Sequence, residues 1–128
     1  MKRTLLLLVG LAALVAAVPA YAHHSFAATY SEDKNIKVEG ELVQFLMRNP
    51  HSFVHVEGKD EKGQMQRWAV EWAGGLQLSR EGVSRDTLKV GDKVVIEGNP
   101  GRNPDDHRLR MRAISRPADG WKWSGNFE

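Results

Sequence analysis

The chain has 128 residues, 41% hydrophobic and 27% charged, with no cysteine and a formal net charge of +2. That length builds one small core, and the absence of thiols excludes disulfide scaffolds, zinc ribbons and cysteine nucleophiles. Lys2 and Arg3 account for two of the 18 basic residues; without them 16 basic face 16 acidic ones, so no whole-molecule attraction draws nucleic acid or another polyanion.

Lys2-Arg3, the apolar run Leu5 to Val18 and Ala20-Tyr21-Ala22 read together as an export signal with its cleavage site. The run is short for a bilayer span, so the protein is expected to be periplasmic rather than membrane-embedded. No cysteine follows it to carry a lipid anchor. Cleavage after Ala22 leaves 106 residues that begin His23-His24. The expected plan is a signal peptide (1–22), an N-terminal arm (23–35), a β-barrel domain (36–116) and a C-terminal tail (117–128).

Ile36 to Leu42 alternates apolar with polar, as a half-buried strand does. Beyond Leu42 the apolar positions shift by one, to Val43, Phe45 and Met47. With Gly40 just before it, that shift predicts a bulge in one long, coiled strand. Arg48-Asn49-Pro50 reads as a turn. In the next strand, Ser52 to Val56, Val54 and Val56 point inward, leaving His51, Phe53, His55 and Glu57 outside. Gly58 to Gly63 is a hairpin connection. Gln64 to Trp72 follows with Trp68, Val70 and Trp72 on its inner face and Arg67, Ala69 and Glu71 on its outer face.

Gly74-Gly75 breaks the sheet. Leu76 to Glu81 makes a short helix closed by Gly82, and Ser84 to Leu88 another single turn. A turn at Gly91-Asp92 opens the fourth strand, a Pro/Gly loop runs from Asn99 to His107, and Arg108 to Ile114 is the fifth strand. There is no internal repeat. Three strands, a short helix and two further strands, with the first strand long and coiled, define an all-β, five-stranded OB-like barrel; a small open sandwich is the alternative.

Four groups of residues could carry chemistry. A cleaved His23 offers an α-amine beside its imidazole, and that chelate with a second imidazole suits Cu(II), which favours tetragonal nitrogen sites. The arrangement resembles the histidine brace of copper monooxygenases and of some periplasmic copper-binding proteins. The amino-terminal copper motif with histidine third does not apply, because Ser25 stands there. The plain alternative is two polar residues after a cleavage site. His51 and His55 would stand roughly 13 Å apart along a strand. That is beyond the ~4 Å that ligands of one ion allow. His51, at the turn, is therefore the partner for the arm, unless it merely caps the turn.

Phe53, His55 and Arg67 form an outer face on strands two and three, where OB barrels bind ligands, and could hold a sugar or a base by stacking. The competing reading is that the arm or the Trp121/Trp123 tail covers Phe53. Arg108, Arg110 and Arg112 alternate as an outward basic stripe, of the kind that protects an exposed strand from pairing. Asp105-Asp106-His107 is a carboxylate–imidazole cluster in a loop, more simply read as solvated. No G-x-S-x-G, H-E-x-x-H or phosphate-cradling glycine loop is present, so the balance lies against an enzyme.

The chain is similar to a family of small exported bacterial proteins known only as a domain of unknown function. His23-His24-Ser25-Phe26, Asn49-Pro50-His51 and Leu88-Lys89-Val90-Gly91-Asp92 carry the resemblance; Val83 stands after Gly82 where the family tends to have tryptophan. The resemblance implies a periplasmic, compact β domain and no settled activity. The expected function is a small periplasmic binding protein taking copper through His23, His24 and His51. The alternative is an OB-type module that binds an oligosaccharide or a protein partner through Phe53, His55 and Arg67 without metal. A small copper oxidase ranks last.

Overall fold

A computed structural model describes residues 25–128. The expected export signal and cleavage site, with His23 and His24, lie outside the described residues. Helix α1 (Phe26–Thr29) is followed by β1 (Ile36–Leu46), β2 (Ser52–Lys59), β3 (Met65–Trp72) and helix α2 (Gly75–Arg80). Then come β4 (Lys93–Pro100), a 3₁₀ turn (Pro104–Asp106), β5 (Arg108–Arg116) and β6 (Trp121–Ser124).

The strands run in the order β3-β2-β1-β4-β5-β6, and a parallel β3–β5 pairing closes the first five into a barrel. This is the expected mainly-β, five-stranded OB-like barrel, with β6 as an outer strand on β5. The predicted phase shift is a bulge: Leu42 pairs with Val56 and Gln44 with His55, leaving Val43 as the extra residue. It lets β1 serve β4 with its first half and β2 with its second. Gly40 is required where the strands cross, since a Cβ there would stand 2.6 Å from the Glu57 carbonyl oxygen.

Inward positions fill the core as the alternation predicts. Val54, Val56, Trp68, Val70 and Trp72 are buried, joined by Leu42, Leu78, Ile96, Leu109 and Ile114. Trp123 of β6 packs edge-on against Trp72 at 5.2 Å and donates from Nε1 to Glu81 Oε2 at 2.6 Å, tying the last strand to the end of α2.

The arginine stripe is not what the alternation suggested. β5 is hydrogen-bonded on both sides, to β4 and to β3 or β6, so it is no free edge needing protection. Nor does the stripe face water. Arg110 is only 6% exposed, because the N-terminal arm and the C-terminal residues cross over it. The three arginines fasten those two segments down. Arg108 Nη2 reaches the Tyr30 hydroxyl at 3.5 Å, Arg110 pairs with Glu32 at 2.9 Å and donates to the Phe127 carbonyl, and Arg112 bonds the Asn126 side chain.

Candidate functional site

The Asn-Pro-His turn is built to present His51. Asn49 Oδ1 accepts from the Leu76 amide at 3.2 Å, so the turn docks on the first residues of α2. Gly74 lies directly against the Pro50 carbonyl oxygen, where no Cβ would fit. The Ser52 hydroxyl closes the turn internally, accepting from the Arg48 amide and donating to the Arg48 carbonyl, each at 3.2 Å. His51 is therefore free of the turn-capping role; its own bonds are long-range.

Those bonds bring both ends of the described chain to one place. The His51 ring lies 5.4 Å from Phe26 of the arm and 5.6 Å from Phe127. Its Nε2 is 3.1 Å from the Glu128 main-chain oxygen, and its Nδ1 is 3.7 Å from Glu71 Oε1. Phe26 also meets Phe127 edge-on at 5.4 Å, so the two rings wall the imidazole from two sides.

Sequence explains why the arm lies there. Ser25 caps α1, its side chain accepting from the Ala27 amide at 3.2 Å. The single helical turn sends Phe26 and Tyr30 to the barrel, and the chain is then pinned by the Ser31 amide to the Pro100 carbonyl at 2.9 Å and by Arg102 Nε to the Ala27 carbonyl at 2.6 Å.

Glu71 sits at the centre of this cluster. Its Oε1 is 3.7 Å from His51 Nδ1, and its charge acts on the Tyr30 hydroxyl. Tyr30 is 1% exposed; burial, with the Glu71 charge adding to it, pushes the hydroxyl well above its ordinary range, so it remains a proton donor. Burial moves Arg110 the other way, with Arg112 adding and Glu32 opposing. The Arg110 guanidinium spreads over Phe26 at 3.7 Å, and its Nε is a buried donor without a hydrogen-bond partner.

The predicted sites separate. His51 joins the arm cluster, and Phe53, His55 and Arg67 lie along the same outer face on β2 and β3, with His55 opposite Ala69 and Glu57 opposite Arg67. Arg48 lies over the Phe53 ring at 5.2 Å, and Phe53 remains half-exposed. Burial lowers the His55 pKa, and the charges of Arg67 and Arg48 lower it further. His107 turns away from Asp105 and Asp106 toward Trp68, 5.2 Å edge-on, and toward Asp60 at 3.9 Å. An open groove of about 610 Å³ beside Glu39, Glu57 and Lys93 shares no residue with the predicted sites. Among the described residues no three His, Cys, Asp or Glu side chains gather as a metal site, and no helix is long and apolar enough to cross a membrane.

Sequence reasoning put Glu71 on the correct outer face but did not connect it to His51, and it missed Tyr30 and Phe127. The signal was present for Glu71: an acidic residue one strand away from the Asn-Pro-His turn. None marked Phe127.

Fold and geometry together define a small closed OB-type barrel whose outer face carries a half-buried histidine–carboxylate pair roofed by both ends of the described chain. Residues 12–110 match the model of a family of unknown function, DUF6152, and the chain belongs to that family. No curated protein and no solved structure matches it.

Proposed function

We propose that this is a periplasmic copper-binding protein whose processed N-terminus supplies the His23 amine and imidazole, with His51 and His24 completing the site. The observation that carries the reading is the 5.4 Å approach of Phe26 to His51. Phe26 stands three positions after His23, a span of about 10 Å at full extension, so the arm is anchored within reach of the one imidazole that the sequence selected as its partner. Two nitrogens of His23 and one of His51 favour Cu(II) over harder cations.

The test begins with N-terminal sequencing of the exported protein, which should start at His23. Cu(II) is then titrated into the processed form and into one carrying an extra N-terminal alanine. The extended form should bind at least tenfold more weakly; equal affinities would remove the terminal amine from the site.

A second reading has its own support. Arg48 and Arg67 flank His55 beside the half-exposed Phe53, and no ion pair engages either arginine among the described residues. A stacking residue on a face with two cations suits an acidic oligosaccharide or an acidic segment of a protein partner. Phe53→Ala should abolish such binding and leave copper uptake unchanged.

A further inference from the structure

We infer that the open face of β1, β2 and β3 binds an acidic oligosaccharide of several charged rings, and that His55 serves there as a third cation, switched on by a proton. The inference deepens the metal-free reading above and rests on it; nothing in it depends on the arm or on a metal ion.

The pairing register lays the face out. Val54 and Val56 are buried, so Phe53, His55 and Glu57 point outward from β2. Leu46 and Gln44 of β1 stand opposite Phe53 and His55, while Ala69 and Arg67 of β3 stand opposite His55 and Glu57. Three cationic positions therefore follow one another along β2. The Arg48 guanidinium lies over the Phe53 ring at 5.2 Å, His55 comes next, and Arg67 stands across from Glu57. From Phe53 to Glu57 is four residues of strand, so the row is roughly 13 Å long. One small anion cannot bridge that length, whereas a chain of charged units can.

The same face selects sugar over peptide. β2 is hydrogen-bonded on both sides, to β1 and to β3, so an extended peptide has no strand edge to join here. The grooves beside Glu39 and beside Val95 take in none of Arg48, Phe53, His55 and Arg67. What the face offers is a low apolar step, half-exposed Phe53 beside half-exposed Leu46, with the exposed Gln44 amide next to it. A sugar ring can lay its apolar side on that step, give its hydroxyls to the amide and its carboxylates to the guanidinium forks.

The charges around His55 set the pH dependence. Its cross-strand neighbours Gln44 and Ala69 are neutral. Burial, and then Arg67 and Arg48, hold its pKa below the ordinary 6.5. Two carboxylates share the face. Glu71 lies 3.7 Å from His51, and Glu57, across from Arg67, opposes an anion at that end of the row. An anion on the two arginines offsets their repulsion of a proton on His55, so proton uptake accompanies binding. Affinity therefore rises as pH falls through the His55 titration, while sugar carboxylates stay ionised down to about pH 5.

The experiment titrates the purified protein by calorimetry at pH 7.5 and pH 5, in low salt, with four probes: hexagalacturonate, monomeric galacturonate, the methyl-esterified hexamer and hexaglutamate. Hexagalacturonate should bind at least about tenfold more tightly than the monomer, because its charges engage the row together, and the uncharged ester should not bind. The step from pH 7.5 to pH 5 should tighten it by up to about fivefold, the worth of one exposed ion pair. His55→Gln should remove that gain, Arg67→Gln should weaken binding, and Glu57→Gln should strengthen it. Histidine NMR of the wild type needs no variant to fold: the His55 midpoint should rise when hexagalacturonate is added. A pH gain that survives His55→Gln, or a His55 midpoint that stays put, would overturn the role of His55. Hexaglutamate binding more tightly than hexagalacturonate at pH 7.5 would reject the glycan while leaving the acidic-ligand face standing. If no acidic probe binds, the face and the metal-free reading fall together.

Discussion

The Arg110 guanidinium lies 3.7 Å from the centre of the Phe26 ring, and through that ring the buried strand β5 holds the segment that leads back to the proposed copper ligands. A cation desolvated against an aromatic face is worth about 1–2 kcal/mol. A double-mutant cycle of Phe26→Leu and Arg110→Met should return a coupling of about 1 kcal/mol in urea denaturation. Phe26→Ala should also weaken Cu(II) binding by about tenfold, since the arm then pays its ordering entropy on binding. An unaltered copper affinity would mean that the arm needs no anchor.

The two tail tryptophans should behave differently. Trp123 is buried against Trp72 and bonded to Glu81, so Trp123→Ala should cost about 3–5 kcal/mol. Trp121 is half-exposed beside Arg116 at 5.5 Å, and Trp121→Ala should cost about 1 kcal/mol. Equal losses in chemical denaturation would contradict the placement of β6.

Gly74→Ala forces a methyl group onto the Pro50 carbonyl and should destabilise by about 1–3 kcal/mol as overpacking. Asn49→Ala leaves the Leu76 amide without its acceptor and should cost about 0.5–2 kcal/mol. Both displace the turn beneath His51, so both should weaken metal binding under conditions where the variants are fully folded. Calorimetry at low temperature separates the two effects.

His55 should titrate below its ordinary 6.5, first because of burial and then because of Arg67 and Arg48. A histidine whose folded pKa is lowered binds fewer protons folded than unfolded. Its contribution therefore favours folding fully above pH 6.5 and is lost as pH falls from there through the folded pKa. Arg67→Gln should raise the midpoint in histidine NMR, and so should an anion bound at that face.

Asp92, Asp119 and Asp60 are all held below the ordinary 3.8. The main causes are the Lys89 amide for Asp92, the Arg116 guanidinium for Asp119 and the Gln64 amide for Asp60. Depressed carboxylates support the fold above their unfolded pKa and stop doing so as pH drops through the folded values. Melting temperature should hold steady from these groups at neutral pH and fall below about pH 4. Arg116→Gln should flatten that fall by freeing Asp119 and Asp92 together.

The barrel was legible because its determinants are local. Alternation put Val54, Val56, Trp68, Val70 and Trp72 inside, the phase shift after Leu42 marked the bulge, and Gly82, at φ +82, closed the helix as its position suggested. The Arg108–Arg112 stripe misled for a complementary reason. Alternation says which face a residue takes, not what covers that face. The same blind spot hid the strand at Trp121–Ser124, whose neighbour and cover come from β5 and α2.

Composition and spacing alone determined an all-β barrel with an Asn-Pro-His turn aimed outward, because strand faces and turns are set by residues a few positions apart. Tertiary structure decided that Phe26, Glu71 and Phe127 converge on His51, with Arg110 over the two phenylalanine rings. Those contacts join positions as far apart as Phe26 and Phe127, and no short-range pattern encodes a meeting that depends on how the closed barrel brings the two segments around it together.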